Sequence, residues 1–314
     1  MFNLITNENM KIYSRSRTWV MICILVLATV LVAVVMVTQQ HHASANWKQN
    51  LETQTAQTQQ ILNRSKHMPA VEVSKLKAQI EMNQYDIAHN INPNQTTGWG
   101  FAVTAENLST LLIAFILVVA GDIVASEFST GTIKMLLTQT STRTKIITAK
   151  YISMLLYGLL ATSLMFVASL VIGWLFFGIV GADAPFFYTG VHQTIQHMPT
   201  IAYLLMQYGF LLVQIVLMST IAFMISAIFR SSALAITISL LAFLVGSTLV
   251  KVLSSYSWAK YILFANTDLS QFVINGPSIK GLTLGFSITM LVVYFFVMNV
   301  LAWIFFVKRD VAYT

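Results

Sequence analysis

Residues 108–125 read LSTLLIAFILVVAGDIVA and run straight into Ser126-Glu127-Phe128-Ser129-Thr130-Gly131-Thr132-Ile133-Lys134. A helix needs roughly 20 predominantly apolar residues to cross the hydrocarbon of a bilayer, and Leu108–Ala125 comes close to that. The polar stretch behind it reads as the place where the chain leaves the membrane. Working outward, five more apolar runs of spanning length appear: about Thr18–Val37, Tyr151–Val180, Ile201–Ile228, Ala233–Leu253 and Leu282–Val307. The runs lack the two-residue alternation of a barrel strand, and only helices or closed barrels satisfy their backbone inside lipid. With 56% apolar and 9% charged residues over 314 positions, a water-soluble domain is excluded. The expected fold class is an all-α polytopic membrane protein with six transmembrane helices, residues 1–314 forming a single domain.

The basic residues give an orientation. Lys11, Arg15 and Arg17 precede the first run, Lys134, Arg143, Lys145 and Lys150 lie between the second and third, and Arg230 lies between the fourth and fifth. Lys308 and Arg309 follow the sixth. Short basic loops stay cytoplasmic, so both termini are expected there, and the positive excess needs no nucleic-acid partner. Lys251, Lys260 and Lys280 are a modest contrary signal. Ala43-Ser44-Ala45 after Trp19–Val37 mimics a cleavage site, but the apolar run exceeds the core of a signal peptide; an uncleaved anchor is expected.

Residues 1–17 place Phe2, Leu4, Ile5, Met10, Ile12 and Tyr13 among polar and basic positions, the pattern of a helix lying in the interface or, alternatively, of a frayed tail. Residues 39–105 read as an external, aqueous insertion. In it a Gln-rich stretch leads to Pro69, and Leu76, Ile80 and Ile87 follow at helical spacing, which predicts a helical hairpin breaking near Pro69. Residues 252–280, interrupted by Asn266-Thr267-Asp268 and Asn275-Gly276-Pro277, are too short to span and fit short helices or a surface loop.

Phosphate-binding glycine loops and H-E-x-x-H or C-x-x-C motifs are absent from the sequence. All six histidines fall in the two expected external loops, where solvated histidines outweigh a metal site. Catalytic, cofactor-binding and metal-binding residues are therefore not expected on this chain. Asp122 is the one ionisable residue expected inside a run, about a turn from its cytoplasmic end, where hydration or a nearby Lys would relieve it. The midplanes are bare of carboxylates, which speaks against ion-driven transport.

The segment 127–150 is the richest in chemistry. Thr130 is expected to cap a short helix starting at Gly131 with Ile133, Leu136 and Leu137 on one face. Ser141 or Thr142 would cap a second helix through Arg143, Lys145 and Lys150. Glu127 can hold backbone N–H groups or pair with Lys134, Lys145 or Lys150.

The pattern Ala125-Ser126-Glu127-Phe128-x-x-Gly131-Thr132-Ile133-Lys134-x-Leu136-Leu137, then Ser141-x-Arg143-x-Lys145-x-x-x-x-Lys150, resembles the hallmark segment of the type-two family of ABC exporter permeases. Glu8-x-x-Lys11 ahead of Arg15 and Arg17 resembles that family's N-terminal interfacial helix, and Phe229-Arg230-Ser231-Ser232-Ala233 its turn between spans four and five. Ala265 departs from the pattern, since many members carry Pro there. The resemblance implies a bacterial cell-membrane permease that pairs with a second copy or a homologous permease. It implies two ABC ATP-binding subunits as partners, with ATP bound on them, and coupling through Glu127, Gly131, Thr132, Ile133, Leu136, Leu137, Arg143 and Lys145. An apolar interior points to amphipathic peptides, antimicrobials or other hydrophobic cargo. The rival expectations are a secondary transporter or a sensor or assembly protein acting without an ATPase.

Overall fold

The structure, a computed structural model, describes residues 1–40, 46–64, 70–88, 90, 92, 96–132, 141–179, 182, 185–191, 195–229, 231–274, 276, 277, 279 and 281–308. In chain order these form α1 (Phe2–Tyr13), α2 (Ser16–Gln40), α3 (Trp47–Arg64) and α4 (Ala70–Ala88). Next come α5 (Gly98–Ala105), a 3-10 turn at Glu106–Leu108, α6 (Ser109–Asp122), α7 (Ala125–Ser129) and α8 (Arg143–Phe177). The hairpin β1 (Pro185–Thr189) and β2 (Ile195–Pro199) precedes α9 (Thr200–Ile228) and α10 (Ser232–Leu253). α11 (Leu263–Thr267) lies between two 3-10 turns, and α12 (Leu284–Val307) follows.

Six helical segments among the described residues are long and apolar enough to cross a membrane: α2, the Gly98–Asp122 unit, α8, α9, α10 and α12. The protein is an all-α multi-pass membrane protein with one small sheet. α9 is the most enclosed span and packs against α5, α6, α8, α10 and α12, so Leu204, Ala222, Phe223 and Ser226 are almost wholly buried along its length.

Several helix starts are written in the sequence as side-chain caps. Thr97 accepts from Gly100 N (3.1 Å), Thr142 from Lys145 N (3.4 Å), Ser231 from Leu234 N (3.4 Å) and Thr283 from Phe286 N (3.4 Å). α8 stops where Gly178 takes φ +82°, a backbone angle that favours glycine.

The second span differs from the sequence expectation. It begins at Gly98, not Leu108, so residues 98–105 leave the expected aqueous insertion and enter the bundle. Phe101, Ala102 and Ala105 are wholly buried there. Glyine-to-backbone contact is what seats α5 on α8: a Cβ on Gly98 would overlap the carbonyl oxygen of Gly178, and one on Gly173 would overlap that of Gly98. Small residues of this kind let two membrane helices touch through their backbones.

Within 39–105, α3 and α4 pack along each other, burying Leu51 and Ile80, with Asn83 Nδ2 donating to Thr55 Oγ1 (3.2 Å). The break expected at Pro69 lies outside the described residues. The β1–β2 hairpin was absent from the sequence expectation. It pairs Pro185 with Pro199 through Thr189 with Ile195, and the Phe187 ring meets Tyr85 of α4 edge-on at 5.1 Å.

Between the last two spans, short helices form. Asn266 is fully buried and pins them: its Nδ2 donates to Lys260 O (2.8 Å) and Ile262 O (2.9 Å), and its Oδ1 accepts from Ser287 (2.7 Å). Ala265 N donates to Ile262 O (3.1 Å), a bond that a proline at this position would lack.

Candidate functional site: a buried charge cluster at the end of the bundle

The residues singled out around Glu127 meet partners that sequence spacing does not reveal. α1 lies against α8, held by Ser153 Oγ donating to Ile5 O (3.2 Å) and by burial of Ile12. This seat carries Glu8 and Lys11, one turn apart on α1, to the start of α8 and to α7.

Lys150 is 1% exposed and sits in the middle. Its Nζ donates to Glu8 Oε2 (2.7 Å), to Glu127 Oε1 (3.0 Å) and to the Ile123 carbonyl (3.2 Å). Lys11 closes the ring, donating to Glu8 Oε1 (2.9 Å) and Glu127 Oε1 (2.8 Å). Thr132 Oγ1 donates to the other Glu127 oxygen. Two carboxylates and two ammonium groups balance, and each ammonium touches both carboxylates. That is the condition under which charges are tolerated away from water.

Beside this ring, Asp122 accepts from both Arg15 and Arg17, and Arg15 also reaches Ser126 Oγ (3.3 Å). The expected relief of Asp122 by a nearby Lys is thus corrected: Arg15, just ahead of α2, and Arg17, in its first turn, supply it. The turn from α6 into α7 is fixed by Ser226 of α9, whose Oγ accepts from Val124 N (3.2 Å) and Ala125 N (2.9 Å).

Other sequence expectations fare differently. Thr130 is not a helix N-cap. It terminates α7, donating from Oγ1 to Ser126 O (2.7 Å), because the chain turns at Gly131 with φ +74°. Ile133, Leu136, Leu137 and Lys134 lie outside the described residues, as does Arg230. Arg143 donates to Val307 O (2.9 Å), tying the start of α8 to the end of α12, while Lys145 is exposed. Asp122 is not the only ionisable residue in a candidate span: Glu106 shares its Gly98–Asp122 segment, Lys150 lies within Arg143–Phe177 and Lys251 within Ser232–Leu253.

Lys150 is one of the three lysines that spacing offers Glu127, whereas the links through Glu8 and Lys11 of α1 are not visible in spacing. The signal was the i,i+3 pair Glu8/Lys11 ahead of an apolar run, and a lysine at a position that continues the apolar face of α8.

Burial alone would raise the Glu127 pKa, yet Lys150 and the hydrogen bonds from Lys11, Thr132 and Lys150 outweigh it and hold the carboxyl down at about 2. Lys11 shifts the other way: burial works against its charge, but Glu127 and Glu8 raise it above the usual lysine value. A depressed carboxylate pKa stabilises the fold above its unfolded value, near 4.5, and that contribution is lost as pH falls toward 2. Glu127 is therefore expected to contribute about 3 kcal/mol of acid sensitivity in that window. Thermal unfolding in detergent at pH 6 and pH 3 should show a smaller acid loss in Glu127→Gln than in the wild type. Equal losses would mean that Glu127 is not held as an anion by this ring.

Among known proteins, residues 73–312 match a family described as "Protein of unknown function (DUF2705)". The uncharacterized protein YhcI of Bacillus subtilis (strain 168) is 39% identical over 323 aligned positions, covering 99% of this chain and 100% of that one. The uncharacterized membrane protein YdbK of the same organism is 30% identical over 215 positions, covering 68% of this chain and 82% of that one. With a family match that takes in five of the six candidate spans and a relative aligned along its full length, the chain belongs to the DUF2705 family.

Proposed function

We propose that the chain is the membrane-spanning permease subunit of an ATP-driven exporter in the bacterial cell membrane. The observation that carries this reading is the ring around Lys150. It fastens the N-terminal helix, the exit of the second span and the entry of the third into one unit, directly ahead of segment 133–140. A short segment strung between two such anchored helices can transmit a push from a soluble partner into the spans. Glu127 at the head of the resembled hallmark is the hub of that unit.

In this reading the cluster end faces the cytoplasm with both termini, and α3–α4 and the β hairpin face outside, in keeping with the basic loops. Two ABC ATP-binding subunits bind and hydrolyse ATP, and a second permease copy or a homologous permease completes the translocator. This chain is not itself the enzyme. Gly131, Thr132, Ile133, Leu136 and Leu137 contact the ATPase, with Arg143 and Lys145 at the rim, and the cargo is an amphipathic peptide, an antimicrobial or another hydrophobic molecule.

One observation favours a second reading. Glu106 lies within the Gly98–Asp122 span with no ion pair among the described residues, and an intramembrane carboxylate suits an ion-coupled carrier. Its place about a third of the way along that span, beside a 3-10 turn, weakens the case for a midplane coupling site.

The deciding experiment is affinity purification from native membranes with the wild type and with Leu136→Asp/Leu137→Asp. An ATP-binding subunit is expected to co-purify with the first and to be lost from the second, while both remain membrane-inserted. Recovery of no ATPase with the wild type would leave the ion-coupled carrier. Undiminished recovery with the double variant would move the docking site elsewhere.

A further inference from the structure

A groove of about 290 Å³ opens on the lipid-facing side of the bundle between α8, α9 and α12, among Ile147, Tyr151, Phe223, Phe296, Asn299 and Trp303. Half of its lining residues are aromatic. Tyr151 meets Phe223 edge-on at 5.2 Å, and Phe296 and Val300 are exposed along its rim. Its floor is polar. The Tyr151 hydroxyl shares a hydrogen bond with Thr220 Oγ1 (2.8 Å), and Asn299 Nδ2 donates to Phe295 O (2.9 Å) and at 3.5 Å to Tyr151.

Two details show what the groove suits. An amide on a half-exposed position of a lipid-facing span is costly unless its polar atoms are satisfied. Both bonds that Asn299 makes use its Nδ2, so among the described residues its Oδ1 is an acceptor without a donor. The second detail is depth. Trp303, whose indole N–H donates to Thr144 Oγ1 (3.2 Å) near the start of α8, is the type of residue that settles at the membrane–water boundary. Asn299 is four positions away on the same helix, roughly 6 Å deeper at a helical rise. That is the level at which an amphiphile changes from polar group to alkyl chain.

We infer that this groove binds an amphiphile from the leaflet on the charge-cluster side, seating its alkyl chain on the aromatic walls and its hydroxyl or amide N–H on Asn299 Oδ1. The ligand class is a chain-bearing hydrogen-bond donor such as a long-chain alcohol or an acylglycerol with a free hydroxyl. Binding does not depend on an ATPase. Because Tyr151 follows Lys150 directly in α8, an occupant touches the same turn of helix that carries the buried ring.

Trp303 is a built-in reporter. The protein in nanodiscs is titrated with a chain-brominated stearyl alcohol and with its methyl ether, and Trp303 quenching is isolated by subtracting the Trp303→Phe signal. The alcohol is expected to quench at about fivefold lower mole fraction than the ether, the worth of one net hydrogen bond. Asn299→Leu should abolish that difference, and Val300→Phe, which fills the groove from an exposed wall position without adding a fluorophore that competes with Trp303, should weaken quenching by both probes. Equal quenching by alcohol and ether in the wild type would show ordinary boundary lipid and overturn the proposal. So would retained discrimination in Asn299→Leu, or unchanged quenching in a folded Val300→Phe.

Discussion

Lys150→Met is expected to destabilise the protein by about 3–5 kcal/mol, the loss found when one member of a buried ion pair is removed. The size follows from the wiring, since Lys150 is shared by Glu8 and Glu127 at 2.7 and 3.0 Å. Methionine fills most of the volume, so the loss is chiefly electrostatic: two carboxylates, each 7% exposed, are left with Lys11 alone. The check is a double-mutant cycle in detergent-solubilised protein. Adding Glu8→Gln to Lys150→Met restores neutrality, with one carboxylate facing one ammonium, and should recover a large part of the lost thermal stability. If the double variant is as unstable as the single, the damage is steric and the ring is not an electrostatic unit.

The second large effect is expected at Gly173→Val. α5 rests on α8 through glycine backbones, and a Cβ at position 173 would overlap the Gly98 carbonyl and lie 3.1 Å from Phe101 Cδ1. Neither neighbour is the free end of a flexible side chain, so the helices must separate. Overpacking of this sort costs about 1–3 kcal/mol or more, and here it also uncovers Phe101 and Ala102, which are wholly buried. Gly209→Val in α9 is the matched control, because a Cβ there meets nothing within 4 Å. A drop in melting temperature confined to the position 173 variant is the expected result. Equal behaviour of the two would mean that α5 does not depend on the close approach.

What could be read in advance divides along physical lines. The spans announce themselves because burial in lipid imposes a local rule, a long apolar run, on every one of them. Capping residues are local as well, and Thr142 and Gly131 perform the kinds of role their chemistry allows, although Thr130 ends a helix where it was expected to start one. From sequence the second span looks shorter than it is because Glu106-Asn107 interrupts the apolar run, and the 3-10 turn at Glu106–Leu108 carries the helix across that interruption. The β hairpin was missed although Phe186-Phe187-Tyr188-Thr189 is a run of strand-favouring residues. The ring around Lys150 was the least legible feature. Glu127 is buried and paired, but three candidate lysines are equivalent by spacing, and its link to Glu8 depends on where α1 comes to rest. Pairings between distant segments leave no periodic trace in a single sequence.

The separation of those partners also governs how the protein is made. Glu8 and Lys150 stand 142 positions apart, so the amino-terminal helix leaves the ribosome long before its counter-charge exists. Through synthesis of the first two spans, Glu8 has only Lys11 of its own helix as a counter-charge, and Glu127 arrives before Lys150 does. The seam closes when the third span enters the bilayer and brings Lys150 to both carboxylates. α1 is therefore locked only after the third span's arrival, which makes its docking a record that the first three spans have inserted in the right order.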